Sequence, residues 1–252
     1  MSFAPDELDR YARHIVLREV GGTGQRRLKE ARVAVVGAGG LGAPALMYLA
    51  AAGVGTIRVI DDDTVSLSNL QRQVIHGTPD LDRPKVESAA DALGRINPHV
   101  TVETVQERLS DQNAEGLLSN VDFILDGSDT FATRSLVNAA AVAAQVPLIS
   151  GALAQWEGQV TVFDPATEGP CYACIFPDPP APGQAPSCAE AGVMGALAGV
   201  VGAMMAGEAI KLITQAGRPL RGEMLIWDGL WGESRKIALT RRAGCPVCGE
   251  KC

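Results

Sequence analysis

Through the first 150 residues, short and wholly apolar runs alternate with stretches whose apolar residues return every three or four positions. The first pattern belongs to strands buried on both faces and the second to amphipathic helices, so their alternation predicts a parallel sheet covered by helices. Strands are expected over 32–36, 56–60, 100–104, 121–125 and 147–150, with helices over 40–52, 84–96, 111–118 and 130–145. After residue 151 the rhythm changes to strands over 158–163, 223–227 and 235–239, which predicts an antiparallel extension of the same sheet. Ahead of them, residues 6–18 set Leu8, Tyr11, Ala12, Ile15 and Val16 on one helical stripe, with Arg10 and Arg13 off it as a basic face toward solvent. The expected fold class is a doubly wound α/β protein with a mostly parallel sheet. One domain is expected over 1–252, made of an N-terminal helical arm (1–30), a nucleotide-binding part (31–150) and a C-terminal part (151–252).

Residues 191–207 carry no charge. The run is just short of a membrane span, is built mostly of Gly and Ala, and is bracketed by Glu190 and Glu208. We therefore expect a tightly packed core helix, with Gly195 and Gly199 as a GxxxG contact, and no membrane. The low-complexity stretch 177–186, PDPPAPGQAP, is expected as an exposed loop.

A net charge of −7 and a pI near 5.0 argue against nucleic acid as a partner. The N-terminal MSFAPDELDR has no basic, then apolar, secretory pattern, so a cytoplasmic location is expected.

The chemistry concentrates between Val33 and Gln73. Gly37, Gly39 and Gly42 follow the first strand with GxGxxG spacing, which lets backbone approach a phosphate at a helix N-terminus. Asp61 ends the next strand, where a carboxylate can take ribose hydroxyls. Those features suit an NAD-dependent oxidoreductase equally well. Asn69, Arg72 and Lys85 then supply more cationic and polar groups than a hydride-transfer site needs, and they favour cleavage of a triphosphate such as ATP. Asp126 and Asp129, at the end of the fourth strand, are candidates for Mg2+, with Asp129 alternatively the N-cap of the next helix. Asp63 is a further candidate near the metal, whereas Asp62 is expected in solvent.

Six cysteines include two CxxC pairs, Cys171 with Cys174 and Cys245 with Cys248. Four thiolates on two tight turns can hold a tetrahedral Zn2+ with no open position; redox dithiols and disulfides are the competing readings. Cys188, outside both pairs and directly before the apolar helix, is either a nucleophile or a small apolar side chain. Cys252 is expected to be a bystander. His14, His76 and His99 form no metal-ligand spacing and no triad, and receive no role.

Assembled in order, RYARHIVLREVG, VGAGGLG, IDDDTVSLSNLQRQ, RPKVESA, DGSD, WEGQVTVF, CYAC, CAEAGV, EAIKL and CPVCG closely resemble the MoeB/ThiF family, bacterial relatives of ubiquitin-activating enzymes. The resemblance implies a Rossmann-like fold with a C-terminal zinc knuckle and a carrier-binding role for residues 151–252. It implies ATP-dependent adenylation of the C-terminal glycine of a ubiquitin-like sulfur carrier ending in Gly-Gly, with release of pyrophosphate. By the same resemblance Gly39, Gly40 and Gly42 line the nucleotide, Asp61 holds the ribose, and Asn69, Arg72 and Lys85 contact phosphates. Asp129 acts through Mg2+, and Arg13 reaches the active site of the other subunit in a homodimer. Cys188 matches a position where some members bond covalently to the carrier. The ending around CPVCG and the WEGQ segment lie nearer the thiamine branch, while SLSNLQRQ is common to the thiamine and molybdopterin branches. No rhodanese-type segment is seen, so a separate sulfur donor is expected. A transfer-RNA modifying dehydratase and a non-catalytic partner subunit are the remaining alternatives; the first typically lacks paired zinc cysteines, and the second would lack the site residues present here.

Overall fold

A computed structural model describes residues 3–178 and 192–249. Eight strands form one sheet, and its first five in spatial order are parallel. These are β1 (Arg32–Val36), β2 (Thr56–Ile60), β3 (Thr101–Val105), β4 (Phe123–Asp126) and β5 (Leu148–Ala154). Then β6 (Glu157–Phe163), β7 (Glu223–Asp228) and β8 (Glu233–Ala238) continue it antiparallel, giving the order β3-β2-β1-β4-β5-β6-β7-β8. The predicted mixed sheet is present, with β5 running four residues beyond its expected end because it pairs along its whole length with β6.

Helices cover both faces. On one side α3 (Gly42–Ala52), α4 (Lys85–Ile96) and α8 (Gly195–Thr214) enclose a core of Leu46, Leu49, Ile57, Leu93, Ile149 and Met205, all fully buried. On the other, α5 (Ala114–Leu117), α6 (Phe131–Ala144) and α7 (Tyr172–Ile175) pack on Ala34, Ile124 and Leu148. The apolar segment thus becomes α8, which has the length and composition to cross a membrane but is built into the core, with Val201, Met205 and Ala209 fully buried. Its small residues do permit close packing, though not through the expected pair. Gly199 borders open space and Gly195 abuts Gln71, whereas Gly202 sits where any side chain would strike the Leu41 carbonyl and the Pro44 ring of α3.

Two further differences come from long-range contacts. No separate helix was expected over GGTGQRRLKE inside the helical arm, yet α2 (Gly21–Glu30) forms there although three of its first four residues are glycines. Burial of Leu28 and the bond from Gln25 Nε2 to the Ala52 carbonyl (2.8 Å) hold it in place. The arm helix α1 (Pro5–Ile15) is three residues shorter at its C-terminal end than expected, and its apolar stripe is only partly covered. Tyr11 is buried and bonded by Asn97 Nδ2, but Leu8, Val16 and Leu17 are exposed. Both Asn97 and Gly53, which Tyr11 packs against, follow helices that run back from the edge of the sheet where the parallel strands end.

The strand β8 lies at the sheet's outer edge with all six residues exposed.

Candidate active site

Strand order reverses between β1 and β4, and ligands of open α/β sheets bind in the crevice at such a point. A cavity of about 260 Å3 lies there, between the glycine turn after β1, Asp61 after β2 and the Gly127–Thr130 turn after β4. Gly39 and Gly40 line it. Gly42 does not; a side chain there would collide with the Gly37 carbonyl oxygen, so its expected place on the nucleotide is corrected to a place inside the turn. Among the described residues, the N–H groups of Gly39 and Gly40 have no protein acceptor and are available to an anion.

Asp61 ties the turn together. Its Oδ2 accepts from the Ala38 N–H (2.7 Å) and its Oδ1 from the Asp63 N–H (2.9 Å). Burial pushes this carboxyl above the ordinary aspartate range, against the pull of Lys85 and the two N–H bonds. Lys85 opens α4 and is 4% exposed, a depth at which an ammonium needs a partner. It donates to Asp63 Oδ2 at 2.7 Å, so Asp63, expected near a metal, is also this lysine's counter-ion; the carboxylates of Asp61, Asp62 and Asp63 lie within 4.8 Å of one another, close enough to hold a metal ion together. Arg72 lines the cavity, donates to the Ser68 carbonyl at 3.1 Å, and among the described residues has no ion-pair partner. Asn69 is not among the cavity's lining residues; its carbonyl accepts from the N–H groups of Arg72 and Gln73, so it shapes the segment that carries the arginine.

The β4 end also departs from expectation. Asp126 is 1% exposed and its Oδ1 accepts from the Ser128 N–H, so it braces the turn from beneath and is not presented to the cavity. Thr130, and not Asp129, caps α6, accepting from the Thr133 N–H. Asp129 is left exposed on the cavity wall with its carboxylate uncommitted among the described residues, which fits a ligand for Mg2+ better than a cap. Sequence reasoning missed Arg134, which is 9% exposed, lines the cavity and donates to the Ser128 carbonyl at 2.6 Å. The available signal was its place one helical turn after Thr130. It also missed Gln73, 4% exposed at the cavity with its Oε1 unpartnered, and Ser128, whose buried Oγ is likewise unpartnered. Orphaned polar atoms in a crevice are satisfied when a polar ligand enters.

Arg13 lies on α1, exposed and outside this cavity. Cys188 and Cys252 lie outside the described residues, as does most of the 177–186 stretch.

The two CxxC pairs meet. The Sγ atoms of Cys171 and Cys174 are 3.9 Å apart, Cys171 and Cys245 3.8 Å, and Cys174 and Cys248 3.4 Å, all four lying within 4.8 Å of one another. Tetrahedral Zn2+ with Zn–S near 2.3 Å sets its sulfurs about 3.8 Å apart, whereas a disulfide needs about 2.05 Å. The four are free cysteines, and their donor set fits zinc. Burial pushes the Cys171 thiol up to about 12, while Cys245, despite its own burial, is brought down to about 6 by N–H bonds from Cys248 and Val247. Asn138 of α6, 1% exposed, supports the cluster, donating to Cys171 Sγ at 3.7 Å and accepting from the Tyr172 N–H.

The sequence profile of the ThiF family matches residues 11–247. The chain is 50% identical over 255 residues to a sulfur carrier protein adenylyltransferase of Thermus thermophilus, covering 100% of this chain and 94% of that protein. It is 47% identical over 250 residues to the SAMP-activating enzyme E1 of Haloferax volcanii (99% and 92%), and 46% identical over 247 residues to the molybdopterin-synthase adenylyltransferase of Escherichia coli (97% of each). A crystal structure of E. coli MccB with ATP shares the fold, with a TM-score of 0.82 at 23% identity over 95% of this chain and 74% of that one. By its profile match and by these identities along its whole length, the chain belongs to the ThiF family.

Proposed function

We propose that the protein adenylates the C-terminal glycine of a ubiquitin-like sulfur carrier, consuming ATP and releasing pyrophosphate. The observation that carries this reading is the convergence of Arg72, Lys85 and Arg134 on the cavity into which the glycine turn opens. A dinucleotide's single pyrophosphate is held by such a turn alone, whereas a leaving pyrophosphate gathers charge that cations must neutralise.

In the reaction the carrier's terminal carboxylate attacks the α-phosphorus, a P–O bond to the β-phosphate breaks, and an acyl-adenylate forms. No strong base is needed, so catalysis comes from positioning and charge neutralisation. The Gly39 and Gly40 N–H groups and Arg72 take phosphate oxygens, and Lys85 exchanges Asp63 for the departing pyrophosphate. Asp61 takes the ribose through lone pairs that Ala38 and Asp63 leave open. Asp129 holds Mg2+, which when bound screens charge between phosphates. The four cysteines hold Zn2+ as a closed, structural site. A separate sulfur donor then acts on the adenylate. Four cysteines kept as metal-binding thiolates suit the reducing cytoplasm.

The active unit in this reading is a homodimer. Arg13 is on a helix that packs where α3 and α4 end, the far end of α3 from the glycine turn with which it begins, and in this reading it serves a neighbouring chain's cavity. The exposed Leu8, Val16 and Leu17 beside it supply apolar surface for that contact.

Radiolabelled pyrophosphate should enter ATP only when a Gly-Gly carrier is added. Absence of exchange with both molybdopterin-type and thiamine-type carriers overturns the reading, and tight NAD binding in its place would favour an oxidoreductase. The dimer has its own test. Arg13→Ala and Asp129→Ala are each expected to be inactive, and subunit exchange between them should restore about a quarter of wild-type activity, since half the dimers are mixed and each has one intact site. No recovery, with mixed dimers confirmed by mass spectrometry, removes Arg13 from the partner's site.

A further inference from the structure

His76 has no part in the chemistry above, yet its buried ring stands directly behind the glycine turn. It ends the segment that carries Arg72 and Gln73, and its own N–H donates to the Gln73 carbonyl at 3.1 Å. Ring Nε2 lies 3.0 Å from the Ala38 carbonyl oxygen and Nδ1 lies 2.8 Å from Ser88 Oγ on α4. A carbonyl can only accept, so Nε2 carries a proton. In the neutral ring Nδ1 then accepts from the Ser88 hydroxyl, which fixes both tautomer and ring plane. Burial favours that neutral form, helped by the nearby Lys85 and opposed by the Ala38 bond and by the carboxylates Asp80 and Asp61.

The consequence lies in the planarity of one peptide. The Ala38 carbonyl and the Gly39 N–H belong to the same trans unit and point in opposite directions. With the carbonyl held inward by His76, the Gly39 N–H is turned outward to the cavity that Gly39 lines. The preceding peptide is fixed independently, through the Ala38 N–H on Asp61. We infer that His76 is a positioning residue for the nucleotide: locked by Ser88, it holds the Ala38–Gly39 peptide so that the Gly39 N–H meets a phosphate oxygen. This rests on the nucleotide assignment made above. His76 touches no substrate, and its effect falls on ATP and not on the carrier.

The test measures binding of a non-hydrolysable β,γ-methylene ATP analogue by calorimetry, alongside KM for ATP and for the carrier, in wild type, His76→Leu, His76→Gln and Ser88→Ala. Loss of one pre-aimed donor to a charged ligand should weaken analogue binding and raise KM for ATP about tenfold in His76→Leu, with KM for the carrier unchanged. His76→Gln places an amide N–H where Nε2 was, and should return binding to within about threefold of wild type. His76→Leu binding as wild type does, or His76→Gln binding no better than His76→Leu, overturns the inference. Should His76→Leu not fold, Ser88→Ala decides, since it keeps the ring and frees its orientation. A raised KM for ATP alone supports the role, and an unchanged one refutes it. If wild type itself neither binds the analogue nor exchanges pyrophosphate, the functional reading fails. If wild type is active and the variants match it, only the role of His76 fails.

Discussion

Replacing Arg72 by Ala is expected to lower carrier-dependent exchange between pyrophosphate and ATP by about 10³-fold, the lower range for arginines that stabilise phosphoryl transfer. The size follows from how little else this guanidinium does. It lines the cavity, makes one bond to the Ser68 carbonyl, and has no carboxylate partner among the described residues. A surface arginine bonded to one carbonyl contributes little to folding, so Tm and zinc content should stay close to wild type while turnover collapses. Arg72→Lys keeps the charge but loses the planar fork, and should recover only part of the rate. A fall of less than about threefold in the alanine variant would place Arg72 outside the reacting phosphates, whose charge would then rest on Lys85 and Arg134.

The second large effect is expected from the metal. Wild type should hold one zinc per chain after extensive dialysis, and Cys171→Ser should hold none. Cys171 is 4% exposed and joins α7 to the C-terminal CxxC, so the loss is felt in folding before it is felt in chemistry. Structural zinc contributes on the order of 10 kcal/mol, comparable with the whole stability of many domains. Without it the protein is expected to lose its cooperative thermal transition or to melt far below wild type. Elemental analysis and thermal unfolding monitored by circular dichroism check both statements. Less than half an equivalent in wild type, with four freely titrating thiols, would rule against the site.

Much of this architecture was legible because its signals are local. Apolar runs such as Val33–Val36 can only be buried strands in this context, and the glycines at 37, 39 and 42 mark a turn in which Gly37 takes a left-handed φ and Gly42 has no room for a side chain. The paired cysteines carry their own spacing rule. What escaped reading depends on partners distant in sequence. The helix α2 exists because Gln25 and Leu28 find places against α3 and the core, contacts that no propensity in GGTGQRRLKE records. GxxxG put the close contact at Gly195 and Gly199, whereas the close approach to α3 comes at Gly202, further along the same helical stripe, since the point at which α8 meets α3 is set by tertiary packing and not by motif. Asp126 and Asp129 are three residues apart in one turn, yet one is buried under it and the other stands on the cavity wall, a division set by the pleat of β4 and the cap at Thr130. Arg134 and His76 were given no role because the bonds that tie them to the turns around the cavity go to the backbone carbonyls of Ser128 and Ala38, which leave no trace in side-chain patterns.

The sheet's last strand has a consequence for how the protein behaves when crowded. An outermost strand offers a row of unpaired N–H and C=O groups on which another chain can template itself into a growing aggregate. Here that strand reads ESRKIA, with Glu233, Arg235 and Lys236 standing exposed along it and Ile237 its only large apolar side chain. An incoming strand would have to strip water from charges of both signs before gaining any backbone bond. The antiparallel half of the sheet therefore ends in a built-in stop, and the protein keeps its long β-surface from spreading between molecules.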